Sequence, residues 1–223
     1  MKNDLKDFYL NQPHNKSVKF EHYFDIYEKQ FASYRNEEIN FLEIGVWHGG
    51  SIQMWDSYFG PKTTIYGLDI NPLFETDNPR IKLFKGDQSS EEYLEQFISE
   101  TPMFDIILDD GGHSMEMQIT SFNHLFKRVK PGGLYMVEDT HSSYWVGGRW
   151  GGGLKSPSSF IEQTKMIPDH LHEWYWKGHN IMSSEDEVSN YCKEINSITY
   201  YDSIVVIEKS KEIKKQPYIL PHK

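Results

Sequence analysis

The chain has only one cysteine, Cys192, among its 223 residues, so no disulfide can form within it. A lone thiol is typical of a reducing compartment, and a cytoplasmic protein is expected. No apolar run reaches the roughly 20 residues that a membrane-spanning helix needs. The first residues also lack the pattern of a signal peptide, so we expect neither secretion nor a membrane partner.

Basic residues are also in short supply, because 23 Lys and Arg stand against 33 Asp and Glu and leave a net charge of -10. A protein that binds a nucleic-acid backbone needs a basic patch, and no cluster of Lys and Arg provides one. Nucleic acid is therefore not an expected partner. Hydrophobic residues at 38% and aromatic residues at 15% exclude a wholly disordered chain, and the length suits one domain.

Short apolar runs alternate with helical patterns along the middle of the chain. Five runs are apolar on both faces, as buried parallel strands are, at residues 41–44, 64–68, 81–84, 104–108 and 134–137. Helices are predicted at residues 22–31, 51–58, 90–99, 114–129 and 158–176. This alternation predicts an α/β fold with a doubly wound, mostly parallel sheet.

The remaining segments complete one predicted domain. Residues 130–133, Lys-Pro-Gly-Gly, are expected to stop a helix and to turn into the next strand. Residues 195–200 and 203–208 predict a C-terminal antiparallel hairpin. The predicted domain has four parts. They are a helical N-terminal extension (1–39), a cofactor-binding core (40–140), a glycine-rich lid loop (141–157), and a C-terminal helix with the hairpin (158–223).

Acidic residues directly follow two of the predicted strands. Asp109 and Asp110 begin the motif DDGGH, which ends at His113, and Glu138 and Asp139 follow the next strand. The carboxyl ends of parallel strands meet at one edge of a sheet, where open α/β folds bind ligands. Carboxylate oxygens suit Mg²⁺ or another hard divalent cation, and a histidine suits a general base. The sequence therefore predicts a divalent cation at this edge, held by acids of the two pairs, with Asp110 and His113 as candidate catalytic residues.

A glycine-containing loop follows the first predicted strand. Gly45 ends that strand, and residues 49–51, Gly-Gly-Ser, open a helix whose N-terminus offers free N–H groups to an anion. Trp47 stands where the second glycine of G-x-G-x-x-G belongs, which disfavours a nicotinamide cofactor. Asp69 ends the second strand, where an acid can hold the hydroxyls of a ribose. The alternative is a tight turn without a ligand. The predicted cofactor-binding residues are Glu43, Gly45, Ser51, Asp69, Asp87, Gln88 and Asp109.

The loop at residues 141–157 is rich in glycine and comes directly after the second acidic pair. Long loops in compact domains are usually lids or disordered segments. Aromatic residues such as Trp150 are unusual in a linker, so a lid over the acceptor is favoured. The predicted substrate-binding residues are His141, Tyr144, Trp145 and Arg149.

These elements resemble the class I S-adenosylmethionine-dependent methyltransferases, which have a Rossmann-like fold. Within that class, the chain is most similar to the metal-dependent sugar O-methyltransferases of antibiotic and polysaccharide biosynthesis, such as the mycinamicin type. The resemblance covers residues 36–209 and rests on the motifs LEIGVWHGGSIQMW, IYGLDI, KGDQ, FDIILDDGGH and FKRVKPGGLYMVEDT. It departs at His141, which is often Trp in relatives, and in the number of glycines in the loop that follows.

The resemblance implies S-adenosylmethionine and Mg²⁺ as cofactors, with Asp110, Glu138 and Asp139 as metal ligands and His113 as the base. It implies a sugar hydroxyl as the acceptor, on a nucleotide-activated sugar, a glycosylated natural product, or a capsule or polysaccharide precursor. A homo-oligomer is expected. Two alternatives remain open: a catechol-type O-methyltransferase acting on a small aromatic diol, and a binding module that holds S-adenosylmethionine without turnover. The catechol enzymes use a lysine base and an asparagine ligand, which are not found at the matching positions.

Overall fold

A seven-stranded sheet forms the centre of the protein, whose computed structural model describes residues 4–11, 15–176 and 188–211. The strands are β1 (Asn40–Ile44), β2 (Thr64–Asp69), β3 (Ile81–Lys85), β4 (Phe104–Asp109), β5 (Val129–Val137), β6 (Ile195–Tyr200) and β7 (Val205–Lys209). They lie in the order β3-β2-β1-β4-β5-β7-β6. Strands β1 to β5 are parallel, while β7 is antiparallel to both β5 and β6. The predicted fold class, with its C-terminal hairpin, is confirmed.

Helices cover both faces of the sheet. The longer ones are α1 (Asp4–Asn11), α2 (Tyr23–Phe31), α3 (Gly50–Phe59), α4 (Glu91–Glu100) and α5 (Met115–Leu125). Four short ones follow: α6 (Phe160–Thr164), α7 (Ile167–Leu171), α8 (Glu173–Trp176) and α9 (Asn190–Glu194). Ser90 and Ser114 cap α4 and α5, because each hydroxyl accepts a hydrogen bond from a first-turn N–H group. Within the described ranges, none of these helices has the length and apolar character to span a bilayer.

Three local predictions were wrong. The continuous helix predicted from 158 to 176 is three short helices, because Pro168 lies in the first turn of α7 and has no N–H group to continue a preceding helix. The helix predicted at 114–129 ends at Leu125 and continues as a 3₁₀ turn to Arg128. Residues 130–133 lie within β5 as a bulge, since the register with β4 shifts there and Gly132 has a φ of +79°.

The N-terminal extension is part of the hydrophobic core. The aromatic face of α2 packs on α3, with the rings of Tyr27 and Trp55 5.1 Å apart and those of Phe31 and Trp55 5.6 Å apart. Phe31 also contacts Phe41 of β1, and all four side chains are completely buried. Burial of such large apolar side chains is the main driving force of folding. The residues just before α2 are therefore held at the carboxyl edge of the sheet.

Candidate active site

A cleft of about 610 Å³ opens at the carboxyl ends of β1 and β4. The chain runs from β1 outward to β2 and β3, then crosses back to β4 and β5, so the cleft lies where the strand order reverses. Open α/β sheets bind their ligands at this position. The predicted site residues that line the cleft are Gly45, Ser51, Asp69, Asp87, Gln88, Asp110, His113, Asp139 and Arg149.

Glu43 and Asp109, two of the predicted cofactor-binding residues, lie beneath the cleft instead of lining it. The Glu43 carboxylate accepts hydrogen bonds from Ser51 Oγ at 2.9 Å and from Trp55 Nε1 at 3.1 Å. Asp109 accepts one from Gln88 Nε2 at 3.1 Å. Burial raises the pKa of each carboxyl group to about 7. Both acids therefore support the cleft floor by holding other side chains.

Gln88 ties two of the cleft loops together. Its Oε1 accepts a hydrogen bond from the Gly112 N–H at 2.8 Å, and its Nε2 donates to Asp109 and to Ser121 Oγ. The loop after β3 thus holds the DDGGH loop after β4. This loop needs such support, because His113 has a φ of 57°, which is uncommon for a residue with a side chain.

Asp69 orders the loop after β1. Its Oδ2 accepts hydrogen bonds from the N–H groups of Val46 and Trp47, both at 2.8 Å. Gly45 in that loop has a φ of +95°, and a Cβ there would lie 2.1 Å from the carbonyl oxygen of Asp110. The close approach of these two loops therefore requires glycine at 45 whether or not a ligand binds.

Asp110, His113 and Asp139 converge at one end of the cleft. They offer potential metal-ligating atoms that all lie within 4.8 Å of one another. His113 Nε2 is 3.4 Å from Asp139 Oδ2 and 4.0 Å from Asp110 Oδ1. Burial lowers the pKa of His113, and the negative charge of Asp139 opposes that shift only in part. An imidazole with a lowered pKa thus faces the carboxyl groups of Asp110 and Asp139.

Glu138 is buried next to this group, and both of its oxygens contact other side chains of the protein. Oε1 accepts a hydrogen bond from the Tyr27 hydroxyl, and Oε2 lies 2.8 Å from the ammonium group of Lys19. Burial and the nearby charge of Asp110 raise the pKa of Glu138 to about 8 in spite of Lys19. Its assignment as the third metal ligand stays a prediction.

Lys19 is a site residue that sequence reasoning missed. Its Nζ lies 2.6 Å from Asp110 Oδ2 and 4.0 Å from Glu43 Oε1, and its side chain is 1% exposed. Burial lowers the pKa of a lysine, but the surrounding carboxylates outweigh this effect and raise the pKa of Lys19 well above its usual range. The only sequence signal is the four-residue spacing of Lys19, Tyr23 and Tyr27, which is close to one helical turn. The Tyr23 hydroxyl donates a hydrogen bond to Asp139 Oδ1 at 2.6 Å.

The predicted substrate residues lie on or beside an aromatic row at the cleft edge. His141 contacts Trp145 with ring centroids 4.8 Å apart, and Trp145 contacts Trp150 at 4.6 Å. The Arg149 guanidinium lies 4.3 Å from the centre of the Trp150 ring. His141 also bonds to the Ser203 hydroxyl through Nδ1. Of the four predicted substrate residues, only Arg149 lines the cleft, and Tyr144 and Trp145 are exposed beyond it.

The glycine-rich loop is anchored on both sides of an open tip. The Trp150 carbonyl accepts a hydrogen bond from the Met115 N–H at 2.9 Å, and the Gly153 N–H donates to the Ser143 carbonyl at 2.8 Å. At Gly147 and Gly148 a Cβ would meet no atom within 4 Å. The tip at residues 146–149 thus has space to move, as the lid hypothesis requires.

The chain is similar to known methyltransferases in family, sequence and structure. Residues 42–140 match a family described as a methyltransferase domain. The chain is 44% identical over 128 residues to the mycinamicin VI 2''-O-methyltransferase of Micromonospora griseorubida, covering 54% of this chain and 32% of the relative. It is 42% identical over 155 residues to the demethylmacrocin O-methyltransferase of Streptomyces fradiae, covering 65% and 38% respectively. The chain thus spans less than half the length of these two relatives.

A solved structure extends the likeness to nearly the whole chain. The structure of MycE methyltransferase from the mycinamycin pathway, in complex with Mg, SAH and mycinamycin VI, superposes with a TM-score of 0.78 at 30% identity. The match covers 99% of this chain and 56% of that one. Fold and family match therefore agree: residues 42–140 match a methyltransferase domain, and the chain is similar to O-methyltransferases that act on mycinamicin VI and demethylmacrocin.

Proposed function

We propose that the protein transfers a methyl group from S-adenosylmethionine to a sugar hydroxyl, with the help of Mg²⁺ or a similar ion. The observation that carries this proposal is the convergence of Asp110, His113 and Asp139 at one end of the cleft at the strand switch point. The relatives named above are O-methyltransferases of macrolide biosynthesis, so a sugar attached to a small natural product is the acceptor that we favour. A nucleotide-activated sugar or a polysaccharide precursor is the second candidate.

S-Adenosylmethionine fits the part of the cleft that the loops after β1, β2 and β3 surround. Gly49 caps α3 without a side chain, so backbone N–H groups of its first turn are available to the cofactor carboxylate. Asp69 and Asp87 both line the cleft and carry oxygens that suit ribose or adenine groups. When bound, the cofactor supplies a methyl group on a positively charged sulfur.

The acidic end of the cleft fits a hard cation, because its donors are mainly carboxylate oxygens. Asp110 and Asp139 are the ligands that line the cleft, and Glu138 is the third candidate behind them. These residues would hold a Mg²⁺ ion, which would supply the positive charge that lowers the pKa of a sugar hydroxyl. His113 accepts the hydroxyl proton at Nε2, which faces Asp139. Methyl transfer would break the carbon–sulfur bond of the cofactor and form the carbon–oxygen bond of the methyl ether.

Isotope-labelled S-adenosylmethionine provides the direct test of this function. The protein is incubated with Mg²⁺ and, separately, a desmethyl macrolide glycoside, a set of nucleotide sugars and a simple catechol, and products are identified by mass spectrometry. Label on a sugar oxygen is the expected result. Label on the catechol alone would favour the aromatic-diol alternative. Cofactor binding without any transfer would favour a non-catalytic binding module.

Asp69→Ala is expected to weaken S-adenosylmethionine binding by about 1–3 kcal/mol, because the ribose loses one or two buried hydrogen bonds. The same change removes the acceptor for the N–H groups of Val46 and Trp47, which order the loop after β1. Isothermal titration calorimetry measures the affinity. Asp77→Ala, at an exposed position after the same strand, is the matched control. Unchanged affinity in a folded Asp69→Ala protein would remove Asp69 from the cofactor site.

Arg149→Ala is expected to raise KM roughly tenfold or more for a nucleotide sugar, because a charged hydrogen bond to a phosphate contributes about 1.5–3 kcal/mol. The KM for an uncharged glycoside should change much less. Initial rates with both acceptors test this difference, and Lys155→Ala on the same loop is the control for general loss of positive charge. If both acceptors respond equally, Arg149 does not recognise an anionic group.

A further inference from the structure

Lys19 reaches the acidic end of the cleft from a distant part of the sequence. It precedes α2, yet its ammonium group lies within 2.8 Å of oxygens on both Asp110 and Glu138, which follow β4 and β5. The side chain is almost fully buried, so these contacts are not a chance surface pairing. Burying a lysine in this way is costly unless paired charges compensate it. The contact is therefore a built feature of the site.

The N-terminal segment at residues 19–27 contains a hydrogen-bonding side chain for each of the three predicted metal ligands. Lys19 contacts Asp110 and Glu138, Tyr27 contacts Glu138, and Tyr23 contacts Asp139. The remaining oxygens, Asp110 Oδ1 and Asp139 Oδ2, face His113. Two of the six oxygens thus face His113, while both Glu138 oxygens, Asp110 Oδ2 and Asp139 Oδ1 bond to residues of the N-terminal segment.

An ammonium group and a divalent ion compete for such oxygens. Mg²⁺ binds carboxylate oxygens at about 2.0–2.1 Å and needs lone pairs that point at it. One lone pair on each Glu138 oxygen is engaged, by Lys19 on Oε2 and by Tyr27 on Oε1. Two cations a few ångströms apart also repel each other strongly inside a protein. Competition for Glu138 Oε2 and repulsion between the two cations therefore favour the departure of Lys19 from Glu138 when a divalent ion binds.

We propose that Lys19 is a built-in counter-cation of the metal site, which holds Asp110 and Glu138 in the metal-free protein and is displaced from Glu138 when a divalent ion binds. Lys19 thereby sets the metal affinity of the site. This inference rests on the metal site of the proposed function. Lys19 is a positioning residue in this scheme, since it acts through the metal ligands and not on the substrate.

Metal binding by the full chain tests this exchange of Lys19 for a divalent ion at Glu138 without any methyl-transfer assay. Mn²⁺ is titrated into the wild type, Lys19→Met and Lys62→Met, and free ion is measured by electron paramagnetic resonance. Lys19→Met removes the competing charge and keeps the aliphatic volume, so Mn²⁺ should bind roughly tenfold tighter or more. Metal-free Lys19→Met should also melt at a lower temperature and regain stability with Mn²⁺. Lys62 is exposed, and its variant should match the wild type in both measurements.

Equal or weaker Mn²⁺ binding by Lys19→Met would overturn the exchange but would leave the metal site and methyl transfer in place. Absence of Mn²⁺ binding in both the wild type and Lys19→Met would remove the metal site together with the exchange. If Lys19→Met does not fold, amine labelling of the wild type decides the question by mass spectrometry. Labelling of Lys19, relative to Lys62, should rise when Mn²⁺ is added, and unchanged protection would overturn the proposal.

Discussion

Replacing His113 with glutamine is expected to lower kcat by roughly 10²–10⁴-fold, the usual range for the loss of a general base. Nε2 of His113 is the ring nitrogen that faces Asp110 and Asp139, so it is placed to accept a proton from a hydroxyl bound at those acids. Glutamine retains a polar side chain but cannot take up the proton. S-Adenosylmethionine affinity and metal affinity should stay close to those of the wild type, as calorimetry can measure.

The pH profile gives a second measurement of the same role. The neutral imidazole is the active form, so the rate should fall as pH drops through the pKa of His113. Burial lowers that pKa, so the acidic limb of the pH–rate profile should lie below pH 6.5 in the wild type. The limb should vanish in His113→Gln. His172→Gln is the control, because His172 is exposed. A His113→Gln enzyme that keeps near-native kcat and the same limb would transfer the base role to another group.

Removal of divalent metal is expected to reduce turnover by roughly 10³-fold or more, since stabilising the developing charge by a metal contributes several kcal/mol. Asp110 and Asp139 face the cleft as hard oxygen donors, and in the proposed mechanism a hydroxyl loses its proton next to them. Dialysis against a chelator, followed by initial-rate measurements with and without added Mg²⁺, tests this expectation. Mg²⁺ should restore the activity.

S-Adenosylmethionine binding serves as the control in the metal-free protein. The residues expected to hold it, such as Asp69, belong to the loops after β1 to β3 and not to the acid pair after β5. Its affinity should therefore largely survive chelation. Asp139→Asn should raise the Mg²⁺ concentration needed for half-maximal rate, while Asp77→Asn should not. Full turnover in excess chelator, with metal content verified as nil, would contradict the metal-assisted mechanism.

The sequence by itself determined the sheet and the position of the cleft. Each of the first five strands is a local apolar run, and the residues that follow it, such as Asp69 or Asp110, must lie at the carboxyl edge once the strands are parallel. The hairpin was predictable for the same reason, because alternation and a turn are encoded in adjacent residues. Such patterns depend only on residues close together in the sequence, so they can be recognised without knowledge of the tertiary contacts.

Tertiary structure alone decided which side chains contact one another within the site. Glu43 and Asp109 look like cofactor ligands in the sequence, yet burial turns them into supports for Ser51 and Gln88. Lys19 looks like a surface lysine, yet the packing of α2 against α3 carries it to Asp110, 91 residues away in the sequence. Local patterns do not encode such long-range contacts, because these depend on where the aromatic face of α2 is buried. Packing in the core therefore decided which charged side chains meet at the acidic end of the cleft.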